Sequence, residues 1–99
     1  MTLQINDIDT RVFPRTARRG SQCGELKLQN VKASELVAEF GSPLYVIDEE
    51  EARLRARETR VALEQAFAKH GARVSVYYAS KAFLNVAIAQ WMAEEGLGI

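Results

Sequence analysis

Apolar residues recur at two different periods along this chain, and the change of period separates predicted strands from predicted helices. Residues 1–24 show neither period and predict an arm of loops. Residues 25–31 alternate apolar and polar side chains, which predicts a short strand. A helix is predicted next, with Ser34 as its cap and Gly41 as its closing residue. Residues 44–47, Leu-Tyr-Val-Ile, then predict a second strand because β-forming side chains fill them.

The longest predicted element is an amphipathic helix over residues 49–69. Asp48 stands before it as an N-cap, Glu51 follows three residues later as in a capping box, and Gly71 closes it. Its apolar positions fall on one stripe of the helix surface, made by Ala52, Ala56, Leu63, Ala66 and Phe67. The stripe predicts one buried helix face.

Residues 74–79, Val-Ser-Val-Tyr-Tyr-Ala, predict a buried strand because apolar side chains dominate them. Asn85 is predicted to cap a further helix that Gly96 ends, and residues 97–99 begin another apolar run. The order strand, helix, strand, helix, strand is that of a βα repeat with a parallel sheet. The chain is therefore predicted to be an α/β protein.

Composition narrows the class of protein without adding a site. The formal net charge is zero and 47% of residues are hydrophobic, which predicts an ordered globular chain with no general attraction to nucleic acid. Neither a secretory signal nor a membrane-spanning run is recognisable, so we expect no membrane partner and a cytoplasmic location. The single cysteine, Cys23, is expected to be an ordinary thiol, and no metal site is predicted.

Lys81 is the candidate catalytic residue because of its position between a predicted strand and a predicted helix. It lies just after the strand at 74–79 and before a helix, at the carboxyl end of a strand, where βα enzymes place catalytic groups. Alternation puts Lys81, Ala79 and Tyr77 on one face, and the small Ala79 would leave open space near the amine. A lysine that simply reaches solvent is the commoner case, and the pattern alone favours that interpretation.

Two motifs resemble those of fold-type III, alanine-racemase-like decarboxylases that use pyridoxal phosphate (PLP). Residues 78–82, Tyr-Ala-Ser-Lys-Ala, are similar to the motif that carries the cofactor lysine. Residues 41–48, Gly-Ser-Pro-Leu-Tyr-Val-Ile-Asp, resemble a segment near the start of diaminopimelate decarboxylases. The first motif is shared with ornithine and arginine decarboxylases, so the second decides between these branches. The Ala-Phe-Leu-Asn that follows Lys81 differs from the alanine racemase pattern.

The resemblance implies that Lys81 is catalytic and binds PLP, with Ala79 beside the cofactor. It also implies that residues 48–99 are the first βα units of a (β/α)8 TIM-type barrel. Residues 1–47 would be an arm, a short helix and a strand that associate with a C-terminal β-domain.

The implied reaction is decarboxylation of meso-2,6-diaminopimelate, a small amino-acid substrate, to L-lysine by a homodimer. The remaining cofactor-binding residues would belong to a longer chain, so this N-terminal segment alone is expected to be inactive. Two alternatives stay open: an ornithine- or arginine-type decarboxylase of the same fold, and a small α/β interaction module without catalysis.

Overall fold

The computed structural model describes residues 8–21 and 24–99. These residues form β1 (Arg18–Arg19), β2 (Leu26–Leu28), β3 (Val31–Lys32), α1 (Ala33–Phe40), α2 (Glu49–Ala68) and α3 (Val86–Glu94). The chain divides into two compact units, Met1–Glu51 and Ala52–Ile99. The α/β character is confirmed, whereas the domain assignment to residues 1–47 and 48–99 stays a prediction. Cys23 lies outside the described residues, so its assignment as an ordinary thiol also stays a prediction.

The first unit contains an antiparallel sheet in the order β1, β2, β3. Gln29 and Asn30 join β2 to β3 with φ angles of 50° and 64°, which are those of a two-residue type I′ hairpin turn. The single strand predicted over residues 25–31 is therefore wrong after Leu28, where the backbone reverses and a second strand begins. The arm predicted as loops over residues 1–24 also contains β1.

Helix α1 follows β3 without an intervening loop. Lys32 is its N-cap residue, and Ser34 lies in the first turn, where its backbone N–H donates to Glu25 Oε1 at 2.9 Å. The prediction of Ser34 as the cap is wrong because the helix begins at Ala33, one residue before Ser34. The Glu25 carboxylate, just before β2, accepts the hydrogen bond from the first-turn N–H of Ser34. The predicted end is confirmed, since Gly41 has a φ of 84° and its N–H donates to Val37 O at 2.8 Å.

Residues 44–47 do not pair as a strand with any described residue, against the prediction. The Tyr45 side chain is 98% exposed, and Val46 and Ile47 are about half exposed. A strand exists only where a second backbone completes its hydrogen bonds, and the described residues supply none here.

Helix α2 is confirmed close to its predicted bounds. The Asp48 carboxylate caps it by accepting from the Glu51 N–H at 3.0 Å. At the other end Gly71 has a φ of 69°, and the N–H groups of Gly71 and Ala72 donate back to carbonyls of the last helical turn. This pair of bonds is a Schellman closure, which requires the left-handed residue that glycine supplies.

The second unit has a small apolar core between α2 and α3. It consists of Ala56, Ile88 and Met92, with Ala52, Tyr78, Trp91 and Leu97 packed against it. The predicted apolar stripe of α2 is buried only in its first half, because Leu63 is 37% and Phe67 44% exposed.

Residues 74–79 do not form the continuous buried strand that was predicted. Tyr77 makes an isolated parallel bridge with Gly98, supported by bonds from Tyr78 N to Gly98 O at 2.8 Å and from Gly98 N to Val76 O at 2.9 Å. One face is also open, since Tyr77 is 68% exposed. The reason is the partner: among the described residues, only Gly98 pairs with this stretch, and it provides a single bridge.

Helix α3 connects the two halves of that bridge. The Asn85 side chain caps it by accepting from the Ile88 N–H at 2.8 Å, as predicted. Gly96 has a φ of 85°, and the N–H groups of Gly96 and Leu97 donate to Ala93 O and Met92 O. This second Schellman closure turns the chain back toward Tyr77.

Candidate functional site

Lys81 lies in a tight turn between the parallel bridge and α3. The Ala82 N–H donates to Ala79 O at 3.1 Å, which leaves Ser80 and Lys81 at the two central positions of the turn. A second bond spans the turn from outside, because the Tyr78 hydroxyl donates to Phe83 O at 2.6 Å. The turn is thus short and held at both ends.

The side chains leading into the turn alternate in exposure. Val74, Val76 and Tyr78 are partly buried, whereas Tyr77 and Ala79 are exposed, as strand alternation predicts for residues 74–79. Ser80 and Lys81, in the turn, are both exposed. The valine and tyrosine face is the one that reaches the α2 and α3 core, through Tyr78. Ala79 and Lys81 therefore share the open side.

The Lys81 amine makes neither a hydrogen bond nor an ion pair with the side chains of residues 8–21 and 24–99. An accessible primary amine can act as a nucleophile toward an aldehyde once it is neutral, or remain a solvated cation. The geometry of this chain by itself permits both. The roles assigned to Lys81 and Ala79 stay predictions.

A second cluster of charged side chains joins α2 to α3. Arg57 Nε and Nη2 donate to the two carboxylate oxygens of Glu95 at 2.8 and 2.9 Å. Arg53 lies 3.4 Å from the same carboxylate, and Arg60 Nε donates to Glu95 O at 2.7 Å. The hydrogen bond from Arg57 lowers the pKa of Glu95 and in turn raises the pKa of Arg57.

This cluster is structural in character, because its cations are already bound to carboxylates and a carbonyl of α3. Arg53 also lies over the Trp91 ring, 6.0 Å from its centroid, within the range of a cation–π contact. Sequence reasoning missed the cluster. The available signal was spacing, since positions 53, 57 and 60 lie on one face of a helix.

Asp48 is the centre of a hydrogen-bonded network in the first unit. Its carboxylate accepts from the Thr16 hydroxyl and from Gln29 Nε2, the latter at 3.0 Å, besides capping α2. Burial acts to raise the pKa of Asp48, but the hydrogen bonds from Thr16 and Gln29 outweigh it and lower that pKa. Glu51 accepts from Arg15 N at 3.2 Å and Arg15 Nε at 3.3 Å.

Other candidate chemistry is sparse in the part of the chain that the structure describes. His70 is exposed at the end of α2. Residues 8–21 and 24–99 contain no group of three or more histidine, cysteine, aspartate or glutamate side chains placed to hold a metal ion. Among the same residues, no helix is both long and apolar enough to cross a membrane.

Comparison with known proteins shows which enzymes this chain resembles in sequence. No family model matches the chain. The diaminopimelate decarboxylase of Corynebacterium efficiens is 38% identical over 96 residues, which are 97% of this chain. That of Bacillus subtilis is 40% identical over 88 residues, 89% of the chain, and that of Methanothermobacter thermautotrophicus is 43% identical over 76 residues, 77% of the chain.

The chain is homologous to part of the diaminopimelate decarboxylases. It spans 19% of the length of the Corynebacterium and Bacillus proteins and 17% of the Methanothermobacter protein. At 97% coverage at most three residues of the chain fall outside the first of these matches, so residues 41–48 and Lys81 lie within it. The relationship to diaminopimelate decarboxylases inferred from these two motifs is confirmed.

Proposed function

We propose that this chain is the leading segment of a PLP-dependent diaminopimelate decarboxylase and that Lys81 holds the cofactor. The observation that carries the proposal is the coincidence of two independent findings. Proteins named diaminopimelate decarboxylase match nearly the whole chain, and the lysine of the family-like motif stands exposed in a turn after a parallel bridge. A strand-end position of this kind is where βα enzymes place their reactive groups.

The residues of this segment fit PLP in part. An aldehyde-bearing cofactor needs an accessible primary amine, which Lys81 provides, and a flat ring needs a small neighbour, which the exposed Ala79 provides. The phosphate needs backbone N–H groups, but the Asn85 side chain already occupies one at the start of α3. The phosphate site is therefore assigned to the remainder of the enzyme.

When bound, PLP would accept the electron pair that remains on the substrate after CO₂ leaves. The part of Lys81 is to hold the cofactor covalently and to release it to the amino group of the substrate. This requires a neutral amine for part of the time, because only the unprotonated nitrogen is nucleophilic.

The wider architecture follows from the same proposal. The bridge between Tyr77 and Gly98, joined through α3, supports the interpretation of residues 48–99 as the beginning of a (β/α)8 barrel. In the first unit an open groove of about 300 Å³ is lined by Leu36, Phe40, Leu44, Tyr45, Val46 and Ile47. Its exposed apolar lining supports packing of residues 1–47 against a C-terminal β-domain. We also propose that the complete enzyme is a homodimer in the cytoplasm.

The cofactor assignment is tested by Lys81→Arg in the complete enzyme. Arginine keeps the positive charge but stays protonated, so it cannot hold an aldehyde. We expect decarboxylation to fall by about 10²-fold or more, and borohydride to fix PLP on the peptide that contains Lys81 only in the unaltered enzyme. Lys69→Arg, at an exposed lysine just after α2, is the control and should keep both properties.

An adduct on Lys69, or normal turnover by the Lys81→Arg variant, would contradict the assignment. The substrate is tested separately by comparing diaminopimelate, ornithine and arginine as substrates of the unaltered enzyme. Faster turnover of ornithine or arginine would favour the alternative decarboxylase. Absence of turnover and of any adduct would favour the interaction module.

A further inference from the structure

We propose that Tyr78 is a positioning residue for Lys81: its hydroxyl ties the far side of the lysine turn to the core between α2 and α3. The inference rests on the proposed function for the role of Lys81. It goes further by assigning the fixed position of that lysine to one hydrogen bond within this chain.

Tyr78 is anchored in three ways. Its backbone N–H donates to Gly98 O at 2.8 Å, which fixes it in the parallel bridge. Its ring packs against the core residues Ala56, Ile88 and Met92. Its hydroxyl reaches past the turn and donates to Phe83 O at 2.6 Å.

The turn has little else to hold it. Within the described chain, Lys81 makes no side-chain hydrogen bond or ion pair, and residues 79–84 are all exposed. The bond from Ala82 N to Ala79 O closes the turn but does not attach it to anything. The Tyr78 hydroxyl therefore provides the attachment, because it connects the exit of the turn to a side chain whose ring is packed.

A fixed turn matters for a nucleophile more than for a solvated lysine. Attack on an aldehyde needs the amine within a narrow range of positions, and a misplacement of about 1 Å can cost a large factor in rate. A turn that opens more often would present the amine correctly for a smaller fraction of the time. Loss of the Tyr78 hydroxyl should thus slow the reaction of Lys81 without removing it.

The test uses Tyr78→Phe in the complete protein, which removes the hydroxyl and keeps the packed ring. Tyr77→Phe is the matched control, since it removes the same atom one residue away, where the hydroxyl has no hydrogen-bond partner among the described residues. Hydrogen exchange of the Ala82 amide is measured without cofactor. Fixation of added PLP on Lys81 is then followed by borohydride trapping at short times.

Tyr78→Phe should speed exchange of the Ala82 amide about three- to tenfold, as expected for one lost hydrogen bond, and slow trapping on Lys81 by a similar factor. Tyr77→Phe should change neither. Unchanged exchange or unchanged trapping in Tyr78→Phe would overturn the inference alone, provided that the unaltered protein forms the Lys81 adduct. Absence of that adduct in the unaltered protein would overturn the proposed function and the inference together.

Discussion

Replacement of Gly96 by alanine tests how the end of α3 is built. Gly96 has a φ of +85°, a conformation that side chains with a Cβ rarely adopt. A Cβ added there would also lie 2.9 Å from both Cδ and Nε of Arg60. Alanine at this position therefore meets backbone strain and a steric conflict with a side chain from α2.

The two costs can be separated and compared. A Cβ in the left-handed region costs roughly 1–2 kcal/mol. Displacing Arg60 breaks its 2.7 Å bond from Nε to Glu95 O, which adds about 1 kcal/mol. Gly96→Ala should therefore destabilise the closure by about 2–3 kcal/mol in total. Gly71→Ala should show only the first cost, because Gly71 also has a positive φ, +69°, but nothing lies within 4 Å of an added Cβ.

Hydrogen exchange of the amides that close each helix measures both effects. We expect exchange of the Leu97 amide to rise about 30- to 150-fold in Gly96→Ala, since each 1.4 kcal/mol is roughly a factor of ten. The Ala72 amide should rise only about 5- to 30-fold in Gly71→Ala. In an Arg60→Ala background, Gly96→Ala should raise exchange of the Leu97 amide only about as much as Gly71→Ala raises that of Ala72, because the side chain that meets the added Cβ is gone. Equal effects of the two glycine replacements would refute the role of Arg60.

Three further predictions concern the cap of α3, the Glu95 carboxylate and the stability of the isolated chain. Asn85→Ala should weaken the start of α3 by about 1 kcal/mol, seen as roughly fivefold faster exchange of the Ile88 amide, whereas Asn85→Asp, which keeps the acceptor, should not. The Glu95 carboxyl should titrate below its ordinary pKa of about 4.3, so its stabilising effect is complete above that pH and is lost as the pH falls through the lower folded value. An NMR titration measures this, and Arg57→Lys should raise the midpoint because the bidentate contact is lost. The 99 residues made alone should aggregate or fold only marginally, since few apolar side chains of residues 8–21 and 24–99 are buried. A cooperative thermal transition of a monodisperse monomer would contradict this.

The helices of this chain were predictable because their signals are local. A cap, a closing glycine and the apolar period all lie within one or two turns of the boundary that they determine. Asp48 and Asn85 cap α2 and α3 as predicted, and Gly71 and Gly96 both adopt a positive φ. The Ser34 cap failed for a reason outside the helix, since Glu25 from a neighbouring segment bonds to the first turn.

The strands were predicted less well because a strand depends on a partner that the local sequence does not contain. Residues 44–47 and 74–79 have suitable composition, yet the first pairs with no described residue and the second makes one bridge. The hairpin at Gln29 and Asn30 was missed because the common Asn-Gly or Asp-Gly signal is absent from it.

The sequence indicated where the candidate lysine lies but not the hydrogen bonds that hold the residues around it. Alternation matches the exposure of residues 74–79, whereas Lys81 lies beyond it in an exposed turn, and its role stays a prediction. The hydroxyl bond from Tyr78 to Phe83 and the contacts of Glu95 depend on tertiary geometry. The sequence contained the residue types for both but did not specify these pairings.

The exposed apolar segments connect the fold to the proposed function. Tyr45 is 98% and Tyr77 68% exposed, while the buried apolar cluster of the described residues is small and consists of Ala56, Ile88 and Met92. Exposing such surface is unfavourable, and the backbone groups beside it also need partners. In the proposed enzyme both would come from the remaining barrel strands and the β-domain. Lys81 would then be held from two directions: by Tyr78 within this segment, and by neighbouring strands that close around its open face.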